Sequence, residues 1–94
     1  MIVRIPAVGT PELLDGYNFR ELKVVGDPSP HPALGRMEGD HVFLDPKALT
    51  RLAGGAAGDP GWRNGFAEMV AYAAKRDWID DADFVRAHVE PLTS

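Results

Sequence analysis

The sequence predicts an α+β domain: a single small antiparallel or mixed β-sheet of three to five strands, with two helices at about residues 46–54 and 60–76 packed on one face. Three observations carry that prediction. Asp45-Pro46 and Asp59-Pro60 each place a carboxylate where it can accept from a free helical amide, followed by a proline whose missing N–H loses nothing there. Trp62, Phe66, Met69 and Ala73 recur at steps of four, three and four, which is one apolar stripe of a helix. Residues 84–90 alternate Val85, Ala87 and Val89 against Phe84, Arg86, His88 and Glu90, the period of a half-buried strand.

Taken in chain order, Ile2, Val3, Ile5 and Val8 give residues 2–8 the β-branched content of a strand that stops at Gly9-Thr10-Pro11. Residues 12–16 suit a single helical turn. A second strand is expected over 18–25, with Leu22 and Val24 on one face and Glu21 and Lys23 on the other. Asp27-Pro28-Ser29-Pro30-His31-Pro32 repeatedly fixes φ and removes backbone donors, so it reads as an extended surface connector or recognition loop. Residues 33–37 and 41–44 flank Glu38-Gly39-Asp40, which suits a hairpin of the three-residue type. The first helix carries Leu49 and Leu52 and ends at Gly54-Gly55; the glycine-rich stretch to Gly58 reads as a flexible connector. Lys75 and Arg76 close the second helix where cations favour the negative end of its dipole. Pro91 ends the last strand.

Bulk composition bounds the class. Ninety-four residues at 45% hydrophobic and 26% charged predict one folded domain, and at this size burying an apolar face in a homodimer would add stability. The absence of cysteine removes disulfide frameworks and thiolate chemistry, so a cytoplasmic location is expected. No run reaches about 18 apolar residues, so no membrane insertion is expected. A net charge of -4 with ten dispersed basic residues argues against nucleic-acid binding. Alanine, glycine, aspartate and arginine are abundant, which suggests a GC-rich bacterial source.

The last strand is the richest in candidate chemistry. Its alternation turns Arg86, His88 and Glu90 away from the aliphatic side. If His41 and Arg4 lie on paired strands of the same face, two imidazoles and two guanidiniums converge there. Imidazole moves protons near neutral pH and guanidinium anchors carboxylates. His88 and His41 are therefore candidate catalytic residues, with Arg86, Arg4 and Glu90 as candidate ligand-binding residues for an anionic small molecule. Trp62, Tyr72 and Trp78 cluster around the second helix and are candidate interface residues, since such side chains anchor partner surfaces.

Other chemistries fit poorly. His31, His41 and His88 lack metal-ligand spacing, and Asp77, Asp80, Asp81 and Asp83 lack the glycine and glutamate of a calcium loop, so no metal is expected. Residues 54–58 follow a helix and lack the phosphate-loop lysine; no cofactor is expected. Two functions remain. The first is a small binding or accessory domain acting through a homodimer or a larger protein partner. The second is a small acid–base enzyme of the isomerase, cyclase or lyase type.

Overall fold

The structure, a computed structural model, describes residues 1–92. It is α+β: six strands, β1 (Ile2–Arg4), β2 (Glu12–Leu14), β3 (Lys23–Val25), β4 (Gly35–Glu38), β5 (His41–Leu44) and β6 (Val85–Glu90), and two α-helices, α1 (Pro46–Ala53) and α2 (Pro60–Lys75). The strands form one mixed sheet in the order β2-β1-β3-β6-β5-β4. β3 lies parallel to both β1 and β6, while the β1–β2, β5–β6 and β4–β5 pairs are antiparallel.

Six strands exceed the three to five expected. The additional strand is β2, whose residues pair with β1 (Ile2 opposite Leu14, Arg4 opposite Glu12) in place of the expected helical turn. Backbone pairing to a neighbouring strand outweighs local helix preference in a segment too short to nucleate a helix. The β4–β5 hairpin also closes more tightly than expected. Glu38 pairs with His41, leaving the two-residue loop Gly39-Asp40, with Gly39 at φ +60°. Residues 54–58, expected as a flexible connector, wind into a 3-10 helix between α1 and α2.

Both aspartate caps form. Asp45 accepts from the Lys47 amide at 2.9 Å and Asp59 from the Gly61 amide at 3.0 Å, with Pro46 and Pro60 in the first turns. Gly26 and Gly35 lie where other residues could not. At φ +115° a Cβ on Gly26 would strike the Ile5 carbonyl oxygen, and at φ +155° one on Gly35 would strike that of Phe43.

One sheet face supplies the core. Val3, Val24, Val42, Leu44 and Ala87 pack with Ala48 and Leu49 of α1, and a second cluster gathers Met1, Trp62 and Met69. Trp62, expected at an interface, is instead a core residue at 1% exposure. Its ring stacks on Phe66 at 4.8 Å and its indole N–H donates to the Gly16 carbonyl at 2.9 Å. The helical stripe seen in the sequence explains this: position 62 starts the row that α2 presents to the sheet. Among the described residues no helix is long and apolar enough to cross a membrane.

Candidate functional site

The face opposite the helices carries the polar positions of every strand. Its central row runs Leu14, Ile2, Lys23, His88, His41 and Glu38 across all six strands. His41 and His88 are direct cross-strand partners, with ring centroids 5.9 Å apart at 68°. Lys23, on the other side of His88, is bonded to Glu90 at 3.2 Å and Glu21 at 3.5 Å. These carboxylates hold the Lys23 ammonium above its ordinary pKa, the hydrogen bond to Glu90 contributing most.

Arg4 lies on the same face, but in a row with Val25 and Glu90, two strands from β6. Its guanidinium pairs with Glu12 at 3.3 Å, at the far side of the sheet from the histidines. The expected convergence of two imidazoles with two guanidiniums is thus divided. The histidines meet, while Arg4 is held elsewhere. Glu90 is engaged by Lys23, and the best-formed clefts are lined by none of His41, His88 or Arg86.

A different grouping emerges around Arg86. Its guanidinium lies 5.8 Å from the centroid of the Trp78 ring, and its backbone amide donates to the Trp78 carbonyl at 2.8 Å. Trp78 meets Tyr72 edge to face at 6.1 Å. Arg76 sits against both rings, 5.3 Å from Tyr72 and 5.5 Å from Trp78, and its Nε donates to the Tyr72 hydroxyl at 3.0 Å. Tyr72 and Arg76 stand four apart on α2, so helical spacing makes them neighbours. That signal was visible in the sequence, although Arg76 read there as a dipole-complementing cation.

The turn after α2 sets Trp78 in place. The Asp77 amide donates to Ala74 and the Trp78 amide to Ala73, with Asp77 at φ +62°. This double bond pattern reverses the chain and directs it back to pair Ile79 with Val85. Two candidate interface residues, Tyr72 and Trp78, and one candidate ligand-binding residue, Arg86, therefore share one continuous surface. Along β6 it continues to His88, and across to His41.

Beyond Phe43, which Arg86 opposes, Arg36 stacks on the Phe43 ring at 4.7 Å and pairs with Glu38 and Asp80, both at 2.6 Å. Asp80 titrates below the usual carboxylate range, chiefly because of that Arg36 bond. Sequence reasoning also missed a cleft of about 650 Å³ beyond the carboxyl ends of β1, β3 and β6, where Ile5, Pro28, Pro30, Val89 and Pro91 form apolar walls beside Asp27, His31 and Glu90. The residues 27–32, read as a connector or recognition loop, supply one side of it. Among the described residues no group of three or more histidine or acidic side chains converges as a metal site.

These features define a small α+β domain with one sheet face covered by helices and the other open, the open face joined to an arginine and aromatic cluster. Comparison with family models, curated proteins and solved structures gives no match.

Proposed function

We propose that this protein is a small binding or accessory domain that engages a second copy or a larger protein partner through the surface running from Tyr72 and Arg76 over Trp78 to Arg86 and His88. The observation that carries the reading is the Arg86 guanidinium over the half-buried Trp78 ring, 5.8 Å from its centroid, which joins the end of α2 to the open sheet face. Tyrosine, tryptophan and arginine are the residue types most enriched among those that dominate interface energetics. Tyr72 is 53% exposed, so a large apolar ring is available without any rearrangement.

Affinity capture from cells that contain the protein tests this. The wild type and an Arg63→Glu variant, altered on an exposed position of α2 elsewhere, are expected to retain the same bound species. A Tyr72→Ala/Arg86→Glu variant is expected to lose it. Equal retention by all three would contradict the proposal.

The cross-strand contact of His41 and His88 favours a second reading, acid–base chemistry on an anionic small molecule. Nuclear magnetic resonance titration of both rings separates the two. Site-specific shifts of both imidazoles on adding a small carboxylate support chemistry, and unresponsive rings remove it.

A further inference from the structure

Resting on that reading of the surface, we infer that the partner presents an acidic peptide segment, with carboxylates that pair with Arg76 and Arg86 and an apolar side chain that enters the neighbouring cleft. Arg4 is paired with Glu12, and Arg36 with both Glu38 and Asp80. Arg76 and Arg86 have no carboxylate within ion-pair distance among the described residues, and both lie against aromatic rings.

A ring within cation–π reach narrows the positions a guanidinium samples while leaving N–H groups free to donate. Less side-chain freedom is then lost when a carboxylate docks, and the planar fork matches a carboxylate with two parallel bonds. Arg76 has committed its Nε to Tyr72 and keeps its terminal nitrogens; Arg86 makes no side-chain hydrogen bond among the described residues. Of the nearby acids, Asp80 is held by Arg36, and Asp77 makes no ion pair with either guanidinium.

Tyr72 lines a cleft of about 460 Å³ together with Phe19, Arg20, Gly65, Glu68 and Met69. Its apolar walls suit a leucine-sized side chain next to the acidic groups. The chain as a whole carries a charge of -4, which repels a long polyanion such as nucleic acid more than a short acidic segment with apolar residues.

The test follows the Trp78 indole and the Arg76 and Arg86 Nε signals of the full chain by nuclear magnetic resonance. The probes are a blocked peptide of alternating glutamate and leucine, its lysine–leucine counterpart, and oligodeoxythymidine. Saturable shifts of these signals with the glutamate peptide alone are expected. The Arg76→Glu/Arg86→Glu variant should weaken binding by about tenfold or more, and Arg86→Lys, which keeps the charge, by less. Spectral dispersion of each variant verifies folding.

No shift at millimolar glutamate peptide, shifts confined to another surface, or tighter binding of oligodeoxythymidine would overturn the inference. If the lysine peptide or a second copy moves the same signals while the glutamate peptide does not, the acidic partner is wrong and the surface reading survives. If nothing moves them and the capture experiment is also unaffected by substitution, both fall.

Discussion

Arg86 and Trp78 are joined twice, by a guanidinium 5.8 Å from the indole centroid and by a backbone bond of 2.8 Å from the Arg86 amide to the Trp78 carbonyl. The first contact is a side-chain interaction that substitution can remove. The second is a backbone bond beside the isolated Ile79–Val85 bridge, which side-chain substitution leaves in place. Binding and folding can therefore be separated at this position.

Trp78→Ala is expected to abolish partner capture while leaving a folded domain. The ring is half-buried and off the two core clusters, so its loss should cost about 1–2 kcal/mol, within a typical small-domain stability. Urea unfolding followed by circular dichroism checks the stability, and the capture assay checks the function.

Trp62→Ala should behave oppositely. Its ring is buried, stacked on Phe66 and bonded to Gly16, so truncation should cost about 3–5 kcal/mol. Trp62→Phe keeps most of the volume but leaves the Gly16 carbonyl without its donor, and should cost about 1–3 kcal/mol. Urea midpoints of the two variants measure the difference.

Asp77 occupies the left-handed position of the turn that ends α2, at φ +62°. Glycine adopts that conformation without the Cβ penalty, so Asp77→Gly should stabilise the domain by about 1 kcal/mol, and Asp77→Val should destabilise it by at least as much. Thermal unfolding checks both. A reversed order would show that Trp78 is placed by something other than this turn.

The Tyr17 hydroxyl donates to Asp59 at 2.7 Å and sets a pH dependence with two limbs. That bond, with the Gly61 amide second, lowers the Asp59 pKa, and the Arg36 bond lowers that of Asp80. The folded state thus binds these protons more weakly than the unfolded chain. Their stabilisation is present above the ordinary carboxylate range and is lost as pH falls through the depressed values, below about pH 4. The same bond raises the Tyr17 pKa, so its contribution is present below about pH 10 and is lost as pH rises through the raised value. Tyr17→Phe should remove the Tyr17 share of the alkaline limb, leaving that of Lys23, and flatten part of the acid limb in stability measured against pH. Superimposable profiles would contradict this assignment.

Features that depend on local chemistry were legible in the sequence. Asp45-Pro46 and Asp59-Pro60 mark helix starts because capping involves only adjacent residues. The alternation of Val85 to Glu90 places Arg86 and His88 outward because a strand's period is fixed by its backbone. Strand order and β2 were not legible, since three residues such as Glu12–Leu14 are too few to show a strand period and their pairing to β1 is decided by the neighbouring strand. The candidate site divides the same way. His41 opposite His88 and Arg86 beside Trp78 needed the register of β5 and the positive φ of Asp77, which no glycine advertises. Trp62 was legible as a core residue from its place on the apolar stripe with Phe66, Met69 and Ala73, and grouping it with Tyr72 and Trp78 by residue type set that signal aside.

A photo-crosslinking amino acid placed at position 72, compared with one at the exposed Lys47 position of α1, asks most directly which surface meets a partner in the cell. The account predicts a discrete adduct from position 72 alone, a second copy or another protein, lost on adding Arg86→Glu. Equal adducts from both positions, or one from position 72 that persists with Arg86→Glu, would contradict it.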